Sequence, residues 1–256
     1  MKKIITFIIA LMWCWAPFVA LHGQGLKSFL SGGVTTSSGP VTFVAATGNN
    51  FATTRSPSLT YPTCSTNDIL IAFFCADGTA DYTGSPPAGW SYINHINDGV
   101  VDETGAAFWA RVDGTDVVSG ETKIWTNITA ANETGRVIIL AYTNCKLTGS
   151  PINTSSFIGR GSVTAHDTSS ITPSVDNCMI IGAFCIDPGA DPRTFTWDGG
   201  ITELIDSGTT PTGQNALDAG LHIGEYLQAT AAAITLGGDF PSAENSVAIA
   251  LALAPQ

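Results

Sequence analysis

Two stretches of this 256-residue chain repeat one arrangement of a cysteine and two aspartates: Cys75-Ala76-Asp77-Gly78-Thr79-Ala80-Asp81 and Cys185-Ile186-Asp187-Pro188-Gly189-Ala190-Asp191. Two carboxylates four residues apart around a glycine turn offer hard oxygen ligands. With backbone carbonyls they could hold Ca²⁺. Asp77, Asp81, Asp187 and Asp191 are therefore the candidate metal ligands. The plainer reading is that any tight turn prefers Asp and Gly.

Other chemistry is sparse. His95, His166 and His222 stand outside any nucleophile elbow, His-Glu-x-x-His helix or phosphate loop, none of which the sequence contains. Asp98, Asp102, Glu103, Glu203 and Asp206 could contain a glycosidase pair, but such pairs are spatial and nothing in the sequence singles out two. Trp90, Trp109 and Trp197 are candidate ligand-binding residues, because exposed indoles stack on sugar rings. Trp90 follows Pro86-Pro87-Ala88-Gly89, a setting that also suits a ring sealing the end of a β-structure. With no catalytic constellation, the chain reads as non-enzymatic.

Six cysteines are present, five of them beyond the N-terminal segment. Cys75 and Cys185 lie in apolar runs and read as buried thiols packed as small hydrophobes. Cys64 and Cys145, near strand ends, are the expected disulfide. Asn127, Asn132 and Asn153 head Asn-x-Ser/Thr acceptors, which matter only if the source glycosylates exported chains. The formal charge of −11, which becomes −13 once Lys2 and Lys3 are removed, argues against nucleic acid, whose phosphates want Lys and Arg.

The elements that must position these residues read as strands. Charged residues are only 12% of the chain, too few to clothe long amphipathic helices, while Gly, Ser and Thr abound. Residues 1–25 resemble an export signal, with Lys2 and Lys3 before the apolar run Ile4 to Trp15. That run is too short for a membrane span, so no stable span is expected after its removal. Residues 26–39 are small and polar and read as a flexible arm. From residue 40 the chain reads as one β-sandwich domain. Ile69 to Cys75 is a continuous apolar run, as a strand covered on both faces would be. A similar run returns 110 residues later at Cys178 to Ile186, and Ile124/Ile234, Val137/Val247 and Ile139/Ile249 keep the same offset. The expectation is an all-β, antiparallel, jelly-roll-like sandwich of ten or more strands, built from two pseudo-repeats of about 110 residues, 40–147 and 148–256. Two separate sandwich domains joined near Thr148 to Ser156 are the alternative.

The run Asn67-Asp68-Ile69-Leu70-Ile71-Ala72, the turn Pro86 to Trp90, Ala107-Phe108-Trp109-Ala110-Arg111-Val112 and Val137 to Tyr142 together resemble a group of phage-type and secreted bacterial β-sandwich proteins. The resemblance implies a virion, tail-associated or surface component. The export-like N-terminus pulls the expectation toward an extracellular or cell-surface protein. Its partners would be copies of itself or other surface or virion proteins, reached through an arm whose Val41 to Ala46 could extend a neighbour's sheet. The alternative is a secreted carbohydrate-binding module, with glycans as partners and calcium as helper.

Overall fold

The computed structural model describes residues 39–51, 54, 56–78, 82, 85–98, 103–126, 128, 135–186, 194–206 and 220–256. Among them there are thirteen strands and no helix, so no helix is long and apolar enough to cross a membrane. The strands are β1 (Thr42–Phe51), β2 (Ser58–Thr60), β3 (Ile69–Asp77), β4 (Trp90–Asp98), β5 (Glu103–Arg111), β6 (Thr122–Ile124) and β7 (Gly135–Thr143). They continue with β8 (Ile152–Asp167), β9 (Cys178–Ile186), β10 (Thr196–Trp197), β11 (Thr202–Asp206), β12 (Gly220–Gln228) and β13 (Gly237–Leu253).

The two central strands begin alike. Asn67 (φ 76°) and Asn177 (φ 59°) both take the left-handed conformation that Asn tolerates better than other residues carrying a side chain. An aspartate beside each one ties the turn down. The Asp68 carboxylate accepts from the Ser65 amide at 2.7 Å, and that of Asp176 from the Ala231 amide at 2.7 Å. After these turns Ile69 to Ala76 and Cys178 to Ile186 are buried without interruption.

Every ladder is antiparallel. The first sheet runs β1-β7-β3-β5-β4 and uses only residues 42–143. In the second, β13, β9, β12 and β11 follow in order, β8 flanks β13 on its other side, and β10 adds to the start of β13. This sheet uses only residues 152–253. Read from β8, its neighbours repeat the order of the first sheet.

Alternation along β3 divides two cores. Ile69, Ile71, Phe73 and Cys75 join Ile181, Ala183, Cys185, Leu221, Val247 and Ile249 of the second sheet in one buried cluster. Leu70, Ala72, Phe74 and Ala76 belong to another, with Leu59, Tyr61, Trp90 and Trp125. The apolar run therefore does have cover on both faces, as its composition requires. In the second sheet Phe184 and Ile186 turn away from the shared cluster, under Phe195 and Phe240. Phe240 reaches that position because bulges between Asp239 and Ser246 bend the long β8–β13 ladder.

Val41 to Ala46 is built into this chain's own first sheet, in whose edge strand it is paired on one side. Thr42 pairs with Thr143 and Ala46 with Leu140 of the same chain, and Val41 is buried. The 110-residue offset fails in the closing strands. Phe74 pairs with Val137 but Phe184 pairs with Ala248, so Val137 matches Ala248, and Val247 matches Arg136. A slip of one residue reverses sidedness. Val137 and Ile139 accordingly face outward, whereas Val247 and Ile249 face the shared core.

Candidate functional site

The Pro86 to Trp90 motif makes a turn and a lid. The Trp90 amide donates to the Pro87 carbonyl at 3.2 Å, and Gly89 takes φ 83°, the position at which a type II turn calls for glycine. The turn lays Trp90 against Tyr61 and Trp125, and its Nε1 donates to the Tyr61 hydroxyl at 2.7 Å. Burial pushes the Tyr61 phenol up to about 12, partly offset by that hydrogen bond. Trp90 is only 7% exposed and offers no stacking platform.

The other two candidate indoles are also engaged. Trp109 packs half-buried against the core between the sheets. Trp197 covers Gly182 and Gly224, which pair across β9 and β12. A Cβ on Gly224 would come within 2.9 Å of its ring. Trp197 also packs edge-on to Phe195, with centroids 4.8 Å apart.

The strongest concentration of polar chemistry lies between the sheets. Cys75 and Cys185 form a disulfide, with Cα atoms 5.4 Å apart. This corrects both cysteine expectations: Cys64 and Cys145 are free thiols, and the pair read as packing residues is the bonded one. The two sulfurs stand at matching places on β3 and β9 and face each other across the shared core. Cys145 is instead buried beside the Cys145–Pro255 bridge, where burial pushes its thiol up to about 12.

Glu103, fully buried on β5, points into the same place. Its Oε2 lies 3.5 Å from Cys185 Sγ and 3.9 Å from Cys75 Sγ. The backbone carbonyls of Gly220 and Thr104 each lie 3.5 Å from one of the sulfurs. Arg136 is the register partner of Cys75 on β7, and burial lowers its guanidinium pKa. Farther along the interlayer, burial and the nearby Glu225 carboxylate hold the Tyr142 phenol well above its ordinary pKa.

A second polar group lies on the outer face of the second sheet. His166 and His222 are both fully buried, and both contact Phe195 and Phe240. His166 Nδ1 is 2.7 Å from Ser246 Oγ, and His222 Nδ1 is 3.0 Å from Asp206 Oδ1. Burial in this aromatic setting lowers the His166 pKa.

Of the candidate calcium ligands, Asp77 ends β3 as the register partner of Glu103. Its side chain and the whole of Asp81, Asp187 and Asp191 lie outside the described residues. So do Asn127 and Asn132. Asn153, part-buried on β8, exchanges two hydrogen bonds with Ser174. Sequence reasoning missed the Glu103–Cys75–Cys185 group. Its only trace was a shared position at the end of strand-like runs, since the partners are 28 and 82 residues apart.

No family model, curated protein or solved structure matches this chain.

Proposed function

We propose that the chain is a secreted, non-enzymatic building block that assembles with copies of itself or within a larger surface, filament or virion assembly. Its body, in this reading, is one sandwich made of a duplicated unit. Residues 38–256 form one compact unit. The repeated strand order and the contacts between layers support the duplication. β3 lies over β9, β5 over β13, β7 over β12 and β4 over β8. Exchanging the halves turns β3–β9 into itself and β5–β13 into β7–β12, and the counterpart of β4–β8 is β1–β11, where Ile205 lines a groove with Ala46 and Gly48. That is the signature of a twofold axis running along the central strands, as in an isologous dimer. A residue on such an axis meets its own counterpart, which is why Cys75 bonds Cys185.

The observation that carries the structural role is where the chemistry-bearing side chains go. Trp90, His166, His222 and Glu103 are inside, and Trp109 and Trp197 are packed. The shallow groove along β1 is also engaged within the chain. Thr47 donates to the Thr60 carbonyl at 2.6 Å, and Asn49 to that of Ser58 at 3.1 Å. The carbohydrate-binding alternative is left with less to stand on. What remains outside is long, small-residue strand edge. β8 presents Gly161 to Ala165 exposed, and β4 presents Tyr92. Such edges extend by pairing with another chain.

Electron microscopy and light scattering of the full chain test this. Particles or fibres are expected, and lysines placed at Ser162 and Thr164 should reduce them. A strict monomer at all concentrations, together with a specific hit on a glycan array, would move the assignment to the carbohydrate-binding reading.

A further inference from the structure

We infer that Cys75, Cys185 and Glu103 form a zinc site when the two cysteines are thiols, so that the centre between the sheets alternates between a disulfide and a metal-held dithiolate. The oxygen and two sulfurs all lie within 4.8 Å of one another and are fully buried. A disulfide gives a buried carboxylate no hydrogen bond, because neither sulfur carries a proton. Glu103 therefore meets the sulfurs as a hydrogen-bond acceptor only when they are thiols. The same three groups form a sensible donor set for a borderline-soft divalent cation.

Thiolate and carboxylate together suit Zn²⁺, with Zn–S near ~2.3 Å and Zn–O near ~2.1 Å. The two strands already hold the cysteines 5.4 Å apart at Cα, so only a small parting of the sulfurs is needed to admit an ion. A fourth ligand is at hand in water or in the carbonyls of Gly220 and Thr104. Charge agrees as well. Two thiolates and a carboxylate carry three negative charges, zinc returns two positive ones, and Arg136 beside Cys75 offers another.

Access does not require opening the finished sheets. Every chain is synthesised with thiols, so zinc can enter before the layers close. Conversion to the disulfide needs a disulfide-class oxidant. Two electrons pass from the Cys75 and Cys185 sulfurs into the oxidant's S–S bond, which breaks to two thiolates. The Cys75–Cys185 bond forms, and Zn²⁺ leaves with its charge unchanged.

The test uses the full chain, prepared anaerobically under a phosphine reductant with Cys64, Cys145 and Cys178 replaced by alanine. One zinc per chain by elemental analysis is expected, with the sheet circular-dichroism spectrum retained. Cobalt should give the sulfur charge-transfer and tetrahedral bands of a dithiolate site. Titration with oxidised glutathione should release one zinc for every two thiols lost. E103Q should weaken zinc by about tenfold or more, since even residues outside the ligand set cost 10–100-fold. The unsubstituted chain, run in parallel, guards against misfolding of the alanine background. The proposal is overturned if the reduced, folded chain holds no stoichiometric zinc, if zinc binds only once the sheet spectrum is lost, if C75A/C185A retains it, or if E103Q binds as tightly as its parent.

Discussion

Tyr61 shows how one residue couples packing to pH. Its phenol accepts from Trp90 at 2.7 Å in a layer where it is almost fully covered. The folded chain keeps it protonated up to about 12, whereas an exposed phenol ionises near its ordinary value of 10.0. The stabilisation is therefore complete below pH 10 and is lost as pH rises from there through 12. Y61F should cost about 1 kcal/mol at pH 8, for the lost acceptor. The gap between Y61F and its parent in urea midpoints should narrow at pH 11. A constant gap would mean that Tyr61 ionises as freely folded as unfolded. Tyr82 and Tyr142, both raised mainly by burial, remain in both proteins and cancel from the comparison.

Among the elements, the pairing of β9 with β12 is open to disruption by a single change. Gly182 and Gly224 sit opposite each other and leave a flat patch on which Trp197 lies. A methyl group at Gly224 would meet Ile201 at 2.8 Å and the indole at 2.9 Å. G224A should destabilise the fold by ~1–3 kcal/mol, the usual cost of overpacking. G161A on β8, where a new Cβ meets nothing within 4 Å, should change stability by less than ~0.5 kcal/mol. Thermal denaturation of the two variants side by side decides the point. Equal effects would show that Trp197 moves aside without loss.

For the molecule as a whole, the proposed duplication makes a strong demand. Residues 40–147 alone would expose Ile69, Ile71 and Phe73, which are buried against the other sheet in the intact chain. If the halves descend from an isologous pair, that fragment should recover its cover by dimerising. Cys75 would then meet Cys75 of the second copy near the axis. Sedimentation should find a dimer that non-reducing electrophoresis traps covalently. A folded monomeric fragment, or an aggregate with no Cys75 cross-link, would argue that the likeness of the sheets is one of architecture without twofold complementarity.

Much of the fold was legible from short-range pattern alone. Low charge, abundant Thr and Ser, and unbroken apolar runs at Ile69 to Cys75 and Cys178 to Ile186 dictate strands covered on both faces, because no other arrangement hides both sides of such a strand. The equivalence of the two runs is visible too, since residues that share a structural position carry similar side chains. The cysteine pairing was not legible. It depends on which layer lies over which, and a separation of 110 residues carries no sign of a 5.4 Å approach. Nor was the one-residue slip of the closing strand, because loop length shifts register without altering composition. Glu103 was the least visible of all. A carboxylate at a strand start reads as a solvated end until a second sheet closes over it, and only that closure brings it against two sulfurs.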